Sequence, residues 1–183
     1  GEPGVVRQAL DLGVQTLLRP MVDSAEMAKN LVRDCLYPPQ GHRGVGAGLA
    51  RASDFNAISD YLTTANDEVC LLVQVESQAG MKELDKILQV VGVDGVFIGP
   101  SDLAADMGFL GNSEAPEVQA AIESAIVRIR AAGKAAGILT GDAAGAKKWA
   151  DLGANFVAVG VDVMVYTQAM RALARERKAL IKG

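Results

Sequence analysis

VCLLVQVE at residues 69–76 and GVFIGP at residues 95–100 are the two stretches that decide the fold. Each is short, almost continuously apolar, and followed by loop residues and then by an amphipathic stretch. Strands that are buried on both faces of a parallel sheet have this pattern. Runs of the same character lie at residues 16–21 (TLLRPM), 137–140 (GILT) and 156–160 (FVAVG). The sequence therefore predicts five buried, parallel strands.

Amphipathic segments with recognisable start and stop signals separate these strands. In the clearest of them, residues 117–132, apolar side chains recur at helical spacing and Gly133 follows as a C-terminal cap. Asp23 and Ser24 are typical N-terminal caps for a helix that runs to Cys35. Further helices are predicted at residues 5–12, 77–90, 142–152 and 167–182. This alternation predicts an α/β fold of βαβ units with right-handed crossovers.

Five strands leave the architecture open, because a complete (β/α)₈ barrel has eight. The helix-like residues 5–12 come first, with no predicted strand before them. The pattern fits either an open, doubly wound sheet or a TIM barrel that lacks its first three βα units. Periodicity alone does not choose between the two.

The composition restricts the class of protein. The chain has 183 residues, of which 50% are apolar and 22% charged, and its formal net charge is -4. These values predict a single domain over residues 1–183 and exclude a disordered chain or a disulfide scaffold. The acidic balance argues against a nucleic-acid partner, and no apolar run is long enough to span a membrane. Cys35 and Cys70 have no metal-ligand spacing, and a structural disulfide between them is not indicated. We therefore expect both cysteines to be reduced, in a soluble protein of the cytoplasm.

Two acidic residues follow the predicted strands where reacting groups of parallel α/β folds lie. Glu76 ends VCLLVQVE, and Asp102 comes two residues after GVFIGP. Their carboxylates can converge on a hard ion such as Mg²⁺ or Mn²⁺, which water and substrate oxygens would complete. The structural alternative is that Glu76 caps the following helix and Asp102 solvates a loop. Gln74 points to the same side of its strand as Glu76 and can reach a ligand or satisfy a polar contact in the core.

Two loop regions add candidate binding residues. If a helix begins after Gly99, the backbone amides of Ser101 and Asp102 can hold an anion. Residues 37–61 form a long, irregular segment of the kind that serves as a lid or an interface. This segment contains His42, Arg43 and Arg51. The arginines are candidates for an anionic substrate or an adjacent subunit, whereas a lone loop histidine is more often a surface residue than a general base.

Four strings, taken together, closely resemble the HpcH/HpaI aldolase family. They are YPPQGHRGVGAGLARASDFN at 37–56, LLVQVES at 71–77, GVDGVFIGPSDLAADMG at 92–108 and NFVAVGVD at 155–162. The resemblance implies a (β/α)₈ barrel of the phosphoenolpyruvate/pyruvate type, assembled as a hexamer of domain-swapped dimers. It also implies reversible, metal-dependent cleavage of a 4-hydroxy-2-oxo acid to pyruvate and an aldehyde. The substrate would be of the 2-keto-3-deoxy sugar acid or 4-hydroxy-2-oxoheptanedioate type, from the catabolism of sugar acids or aromatic compounds.

The resemblance also implies roles for particular residues. Glu76 and Asp102 correspond to the ligands of the divalent ion, which can be Mg²⁺, Mn²⁺ or Co²⁺. The amides around Ser101 and Asp102 would hold the carboxylate of pyruvate, with Gln74 beside it and Leu139 lining the pocket. The lid segment, residues 37–61, would complete the site of a neighbouring subunit.

The sequence departs from the family at its amino end. Family members carry additional residues there, with the first three strands, an RP motif whose Arg stabilises the enolate, and a DGEH motif whose His moves protons. Neither motif is present: Arg19-Pro20 lies in TLLRPMV, which matches the next strand, and His42 does not match DGEH. The catalytic residues therefore stay unassigned, and we expect the chain to be a fragment of a longer aldolase. The alternatives are a citrate-lyase-type acyl-CoA lyase and a non-catalytic remnant that binds metal or oligomerises.

Overall fold

Five parallel strands form one sheet in the computed structural model, which describes residues 3–181. Each strand pairs with its neighbour in the chain, in the order β1-β2-β3-β4-β5. A doubly wound sheet would reverse its strand order at a switch point, whereas a (β/α)₈ barrel has this sequential order. The described residues therefore form a parallel half-barrel. The strands are β1 (Thr16–Arg19), β2 (Cys70–Val75), β3 (Gly95–Ile98), β4 (Ala135–Leu139) and β5 (Phe156–Ala158).

Eight α-helices connect and flank the strands within residues 3–181. Most are amphipathic and were predicted from apolar spacing; α5 and the short α3 were not in the predicted set. The helices are α1 (Pro3–Asp11), α2 (Ala25–Cys35), α3 (Tyr61–Thr64), α4 (Gln78–Leu88), α5 (Pro100–Asp106), α6 (Pro116–Ala131), α7 (Ala143–Asp151) and α8 (Asp162–Ile181). Short 3₁₀ helices lie at Ala47–Leu49, Arg51–Ser53 and Ala65–Glu68.

Several element boundaries differ from the sequence-based expectation, most of them by one or two residues. The first strand was predicted to run to Met21, but β1 ends at Arg19 because the backbone of Met21 adopts a φ of 58°. The last helix begins at Asp162 rather than Thr167, and the Asp162 carboxylate accepts the N–H of Val163 in its first turn. The predicted end of this helix at Lys182 lies outside the described residues.

The two faces of the sheet differ in what covers them. On one face, every second side chain of β2 packs against the helices. Val73 and Val75 lie on this face, are fully buried and belong to the hydrophobic core. The opposite face, here called the open face, carries Leu18, Gln74, Phe97, Leu139 and Phe156. Leu18 and Phe156 remain 41% and 43% exposed. This face is where the interior of a closed barrel would lie.

Glycine makes room on the open face for large side chains. Phe97 and Phe156 pack edge to face with their ring centroids 5.6 Å apart. A Cβ on Gly137, which pairs with Phe97 across the sheet, would overlap the Phe97 ring. The face therefore alternates small and bulky residues, so its apolar surface is continuous.

None of the helices within residues 3–181 combines the length and apolar character needed to cross a bilayer.

Candidate functional site

The candidate site lies at the carboxyl ends of β2 and β3. Glu76 directly follows β2, and α4 starts two residues later with Ser77 as its N-cap, whose hydroxyl accepts the N–H of Gly80 at 3.0 Å. The Glu76 side chain therefore does not cap this helix, contrary to the structural alternative considered from the sequence. Asp102 lies in the first turn of α5 and is exposed. Both carboxylates are thus available for other contacts.

Glu76 is buried and held by neutral donors. It is only 3% exposed. Its Oε1 accepts the backbone N–H of Met21 at 2.9 Å, and its Oε2 accepts a hydrogen bond from Nε2 of Gln74. No ion pair involves Glu76 among the residues that the structure describes. A buried carboxylate without a cationic neighbour is costly, which makes this group the most distinctive feature of the site.

Gly99 brings the start of α5 against the Glu76 carboxylate. A Cβ at this position would overlap Glu76 Oε2 and would lie 3.0 Å from Nε2 of Gln74. The N–H of Leu103 donates to the carbonyl of Gly99 at 3.1 Å, so Asp102 belongs to the helical turn that begins beside Glu76. The absence of a side chain at Gly99 is what lets the start of α5 lie against the Glu76 carboxylate.

The predicted ligand-binding residues line one cleft on the open face. Its volume is about 340 Å³. Gln74, Ser101, Asp102 and Leu139 all contribute to its wall, and Glu76 lies behind Gly99. The remaining lining residues are Leu18, Phe97, Gly99, Pro100, Phe156 and Ala158. The structure therefore brings these residues together, while their roles toward a ligand stay predictions.

The backbone amides of Ser101 and Asp102 lie at the start of α5. Pro100 occupies the first turn, and the first backbone bond of the helix is that from Leu103 to Gly99. The amides that precede this bond have no acceptor inside the helix. They are the donors that the sequence suggested for an anion, and they border the cleft.

Residues 37–61 lie away from this cleft. The segment connects α2 to α3 and β2, so it belongs to the amino-terminal end of the strands, opposite to the candidate site. Arg43 is 2% exposed and donates to Asp11 Oδ1 at 2.8 Å and to the Tyr61 hydroxyl at 3.2 Å. Its guanidinium also stacks 4.4 Å from the centre of the Tyr37 ring. Arg51 is exposed. The structure brings neither arginine to the cleft of its own chain, so the lid role toward a neighbouring subunit stays a prediction.

His42 belongs to a cluster at the same end of the half-barrel. Its Nδ1 lies 2.8 Å from Nη2 of Arg7 and 3.2 Å from Oδ1 of Asp34. Arg7 also pairs with Asp34 at 2.9 Å, and Asp34 is only 5% exposed. His42 is thus a structural partner of α1 and α2 rather than a base at the cleft. No sequence pattern predicted this cluster, because Arg7 is separated from Asp34 and His42 by 27 and 35 residues.

A second cleft, of about 360 Å³, adjoins the first. The two share Pro100, Ser101 and Leu139 in their walls. Trp149 borders the second cleft and is only 4% exposed, so it packs as a structural residue. Asp142, also in this wall, is the N-cap of α7, and the N–H of Gly145 holds the pKa of its carboxyl below the usual value. Its hydrogen bonds therefore serve the helix.

Sequence comparison identifies named relatives. The family model described as HpcH/HpaI aldolase/citrate lyase matches residues 1–169. A hydroxypyruvate/pyruvate aldolase from Agrobacterium fabrum is 59% identical over 178 residues, which are 97% of this chain and 67% of that protein. A 4-hydroxy-2-oxo-heptane-1,7-dioate aldolase from Shigella sonnei is 58% identical over 173 residues, 94% of this chain and 66% of that protein.

A solved structure from the same family has a similar fold. The crystal structure of a HpcH/HpaI aldolase/citrate lyase family protein from Burkholderia cenocepacia superposes with a TM-score of 0.91 at 39% identity. The match covers 97% of this chain and 70% of that chain. The chain thus spans about two thirds of the length of the curated relatives, which are named as aldolases and so are carbon–carbon lyases. The resemblance predicted from its motifs is confirmed, and the chain belongs to the HpcH/HpaI aldolase/citrate lyase family.

Proposed function

We propose that this chain carries the metal- and pyruvate-binding part of a class II aldolase site. The reaction is the reversible cleavage of a 4-hydroxy-2-oxo acid to pyruvate and an aldehyde. The observation that carries the proposal is the buried carboxylate of Glu76, held by neutral donors against Gly99, which precedes the helical turn that carries Asp102. The names of the relatives, both aldolases, support the reaction class.

The environment of Glu76 suits a cation. A buried charge is costly unless it is paired, and hydrogen bonds from Met21 and Gln74 compensate for only part of the lost hydration. Each carboxylate oxygen has two lone pairs, so Oε2 keeps one available after it accepts the bond from Gln74. Asp102, one helical turn beyond Gly99, can supply a second carboxylate. A divalent ion would therefore neutralise a charge that the described residues leave unpaired.

The donor set fits a hard ion that keeps open positions. No group of three or more His, Cys, Asp and Glu side chains that could hold a metal occurs within residues 3–181. Two carboxylates with water and substrate oxygens suit Mg²⁺, Mn²⁺ or Co²⁺ rather than a closed zinc site. Bound there, the ion would supply Lewis-acid polarisation of the oxygens of pyruvate.

Other residues of the chain would hold and enclose pyruvate. The amides of Ser101 and Asp102 have no acceptor in α5, so the carboxylate of the substrate would serve as their acceptor. Gln74 uses one N–H on Glu76 and keeps a second donor for a ligand in the cleft. Leu18, Phe97, Leu139 and Phe156 supply an apolar wall that would exclude water from the reacting carbons.

The proposal assigns no proton-transfer residue in this chain. The RP and DGEH motifs of the family are absent from the sequence, and His42 lies at the other end of the half-barrel. Arg19 does not take the place of the missing arginine, because it pairs with Val73 and so lies on the helix side of β1. The aldehyde partner is proposed only by class. It is the aldehyde released by cleavage of a 4-hydroxy-2-oxoheptanedioate, a 2-keto-3-deoxy sugar acid or a hydroxypyruvate adduct.

A homo-oligomer, in the family form of a hexamer, is part of the proposal. Its support is α8, in which four consecutive residues, Val163 to Tyr166, are each more than half exposed. The citrate-lyase-type alternative would need cationic side chains for the phosphates of coenzyme A. Within the described part of the chain, the lining of both clefts includes no Lys or Arg, which argues against this alternative.

The test is exchange of the methyl protons of pyruvate in D₂O, followed by proton NMR with and without Mg²⁺ or Mn²⁺. With water as the base, since the proposal assigns none in this chain, it predicts metal-dependent exchange that is abolished by Glu76→Gln and retained by Glu114→Gln, an exposed acid in the adjoining cleft. Metal binding without exchange would favour the non-catalytic remnant. Exchange that continues in Glu76→Gln would overturn the site assignment.

A further inference from the structure

We propose that Met21 is a positioning residue, whose strained backbone orients Glu76 toward the metal ion. The inference rests on the proposed function, since it concerns how this chain prepares that site. The interaction involves the main chain of Met21, not its thioether. No motif in the sequence pointed to it, because the chemistry of the side chain is irrelevant to the contact.

The backbone at Met21 adopts an unusual conformation. Its φ is 58°, in the left-handed region that costs a residue with a side chain about 1 kcal/mol or more. Glycine or asparagine would be the inexpensive choice there. Strain of this kind persists only where the surrounding structure imposes it, and it is concentrated at functional sites.

The strain has a specific geometric result. Pairing of β1 with β2 ends at Arg19 and Val73. Beyond that point, the N–H of Met21 donates to Glu76 Oε1 at 2.9 Å, and the N–H of Val22 donates to the carbonyl of Gln74 at 2.9 Å. The left-handed turn thus diverts one amide from the strand ladder to the carboxylate. Val22, which is fully buried, fixes the turn from the other side.

The contact determines which oxygen of Glu76 lies against Gly99. With Oε1 occupied by Met21, Oε2 lies between Gln74 and Gly99, on the side where α5 and Asp102 begin. A carboxylate free to rotate would lose this orientation. Groups that orient a metal ligand from behind typically change metal affinity by about 10–100-fold when they are removed.

The Met21 side chain has no such role, which makes the residue suitable for substitution. It is 52% exposed, so its replacement does not open the core. Met21→Gly and Met21→Asn keep the N–H and tolerate a positive φ, whereas β-branched Met21→Val keeps the N–H but opposes that φ. The Mn²⁺ affinity of each variant of the full chain can be measured by electron paramagnetic resonance.

We expect Met21→Gly and Met21→Asn to bind Mn²⁺ like the unaltered chain, and Met21→Val to bind it about 10-fold more weakly. A loss of affinity in Met21→Gly equal to that in Met21→Val would overturn the inference, because the side chain would then be responsible. Equal affinity in all three variants would also overturn it.

A backbone substitution isolates the N–H itself. Replacing Met21 by its α-hydroxy acid analogue converts the amide to an ester and removes only this donor. The matched control is the same change at Val22, whose N–H serves the Gln74 carbonyl. We expect the ester at Met21 to weaken Mn²⁺ binding about 10-fold and the ester at Val22 to leave it unchanged. Equal affinities would refute the inference, whereas a failure of the unaltered chain to bind Mn²⁺ would refute the proposed function instead.

Discussion

Gly99 and Glu76 are in such close contact that a methyl group on Gly99 would overlap the Oε2 atom of the carboxylate. The same methyl group would lie 2.9 Å from the Cβ of Glu76. Both residues follow buried strands, and neither can move outward without disturbing the start of α4 or α5. The glycine is therefore a condition for the start of α5, which carries Asp102, to lie against Glu76.

Substitution of Gly99 by Ala should displace Glu76. Because the added Cβ meets the carboxylate and Gln74 rather than open space, we expect metal affinity to fall by about 10–100-fold. The free energy of unfolding should fall by about 1–3 kcal/mol, as in other overpacked cores. Calorimetric titration with Mn²⁺ and urea denaturation measure the two effects.

Gly160→Ala is the matched control for this change. Gly160 also follows a strand, but a Cβ there has nothing within 4 Å. Its metal affinity should equal that of the unaltered chain. If Gly99→Ala binds Mn²⁺ as tightly as Gly160→Ala, the proposed position of the ion beside Glu76 Oε2 is wrong.

Glu76→Gln should separate intrinsic stability from stability that the metal confers. The substitution removes a buried, unpaired charge, so without metal we expect the midpoint of thermal unfolding to stay the same or rise. In the unaltered chain, an ion at 100 times its Kd should stabilise the fold by about 2.7 kcal/mol, and this gain should vanish in the variant. Differential scanning fluorimetry with and without Mn²⁺ measures both. A metal-induced shift that survives in Glu76→Gln would show that the ion binds elsewhere.

Arg43 should matter for stability and not for metal binding. It is buried between Tyr37 and Tyr61, whereas its ionic partner Asp11 has a side chain that is 48% exposed. Arg43→Met should therefore lower the free energy of unfolding by about 2–3 kcal/mol through lost packing and hydrogen bonds. Asp11→Asn, at the solvated end of the pair, should cost less than about 1 kcal/mol. Urea denaturation checks these values, and a folded Arg43→Met variant with lost Mn²⁺ affinity would contradict the assignment.

Alkaline pH should destabilise the fold through Cys35 and Tyr37. Burial, together with the Asp34 carboxylate, raises the pKa of the Cys35 thiol to about 11, and burial raises the pKa of Tyr37 to about 12. The folded state therefore binds both protons more tightly than the unfolded chain, whose groups titrate near 9.0 and 10.0. This contribution is complete below pH 9 and is lost as the pH rises through 11 and 12.

The double variant Cys35→Ala, Tyr37→Phe tests this pH dependence. Between pH 9 and 12, its free energy of unfolding should fall less steeply than that of the unaltered chain. Tyr166→Phe, at an exposed tyrosine, is the control and should not change the slope. Equal slopes in the double variant and the unaltered chain would contradict the role of these two groups.

A structural feature could be predicted from the sequence where local residues determine it, and not where contacts between distant segments determine it. Runs such as residues 95–100 predicted all five strands, because continuous apolar character and flanking glycine are local features. Glu76 and Asp102 were proposed on local grounds too, since Glu76 directly follows a buried strand and Asp102 comes four residues after the end of the next one. Periodicity did not predict the strand order, because the order depends on pairing between distant segments, whereas the family resemblance implied the sequential order of a barrel.

The missed features are backbone or long-range effects. Met21 was included in a strand because its side chain is apolar, whereas its backbone adopts a φ of 58° and its N–H donates to Glu76. The lid role of residues 37–61 toward a neighbouring subunit stays a prediction; length and irregularity did not reveal which end of the strands this segment occupies. Arg43 was a candidate for an anion because its partner Asp11 lies far away in the sequence.

The most direct test of the central claim is the effect of Mn²⁺ on the proton resonance of the pyruvate methyl group. If Glu76 and Asp102 hold an ion that pyruvate also contacts, adding the chain to Mn²⁺ and pyruvate should produce saturable, protein-dependent broadening of that resonance. We expect Asp102→Asn and Glu76→Gln each to abolish this broadening and Glu114→Gln to retain it. Broadening that is unchanged in Asp102→Asn and Glu76→Gln would show that these two residues do not hold the ion.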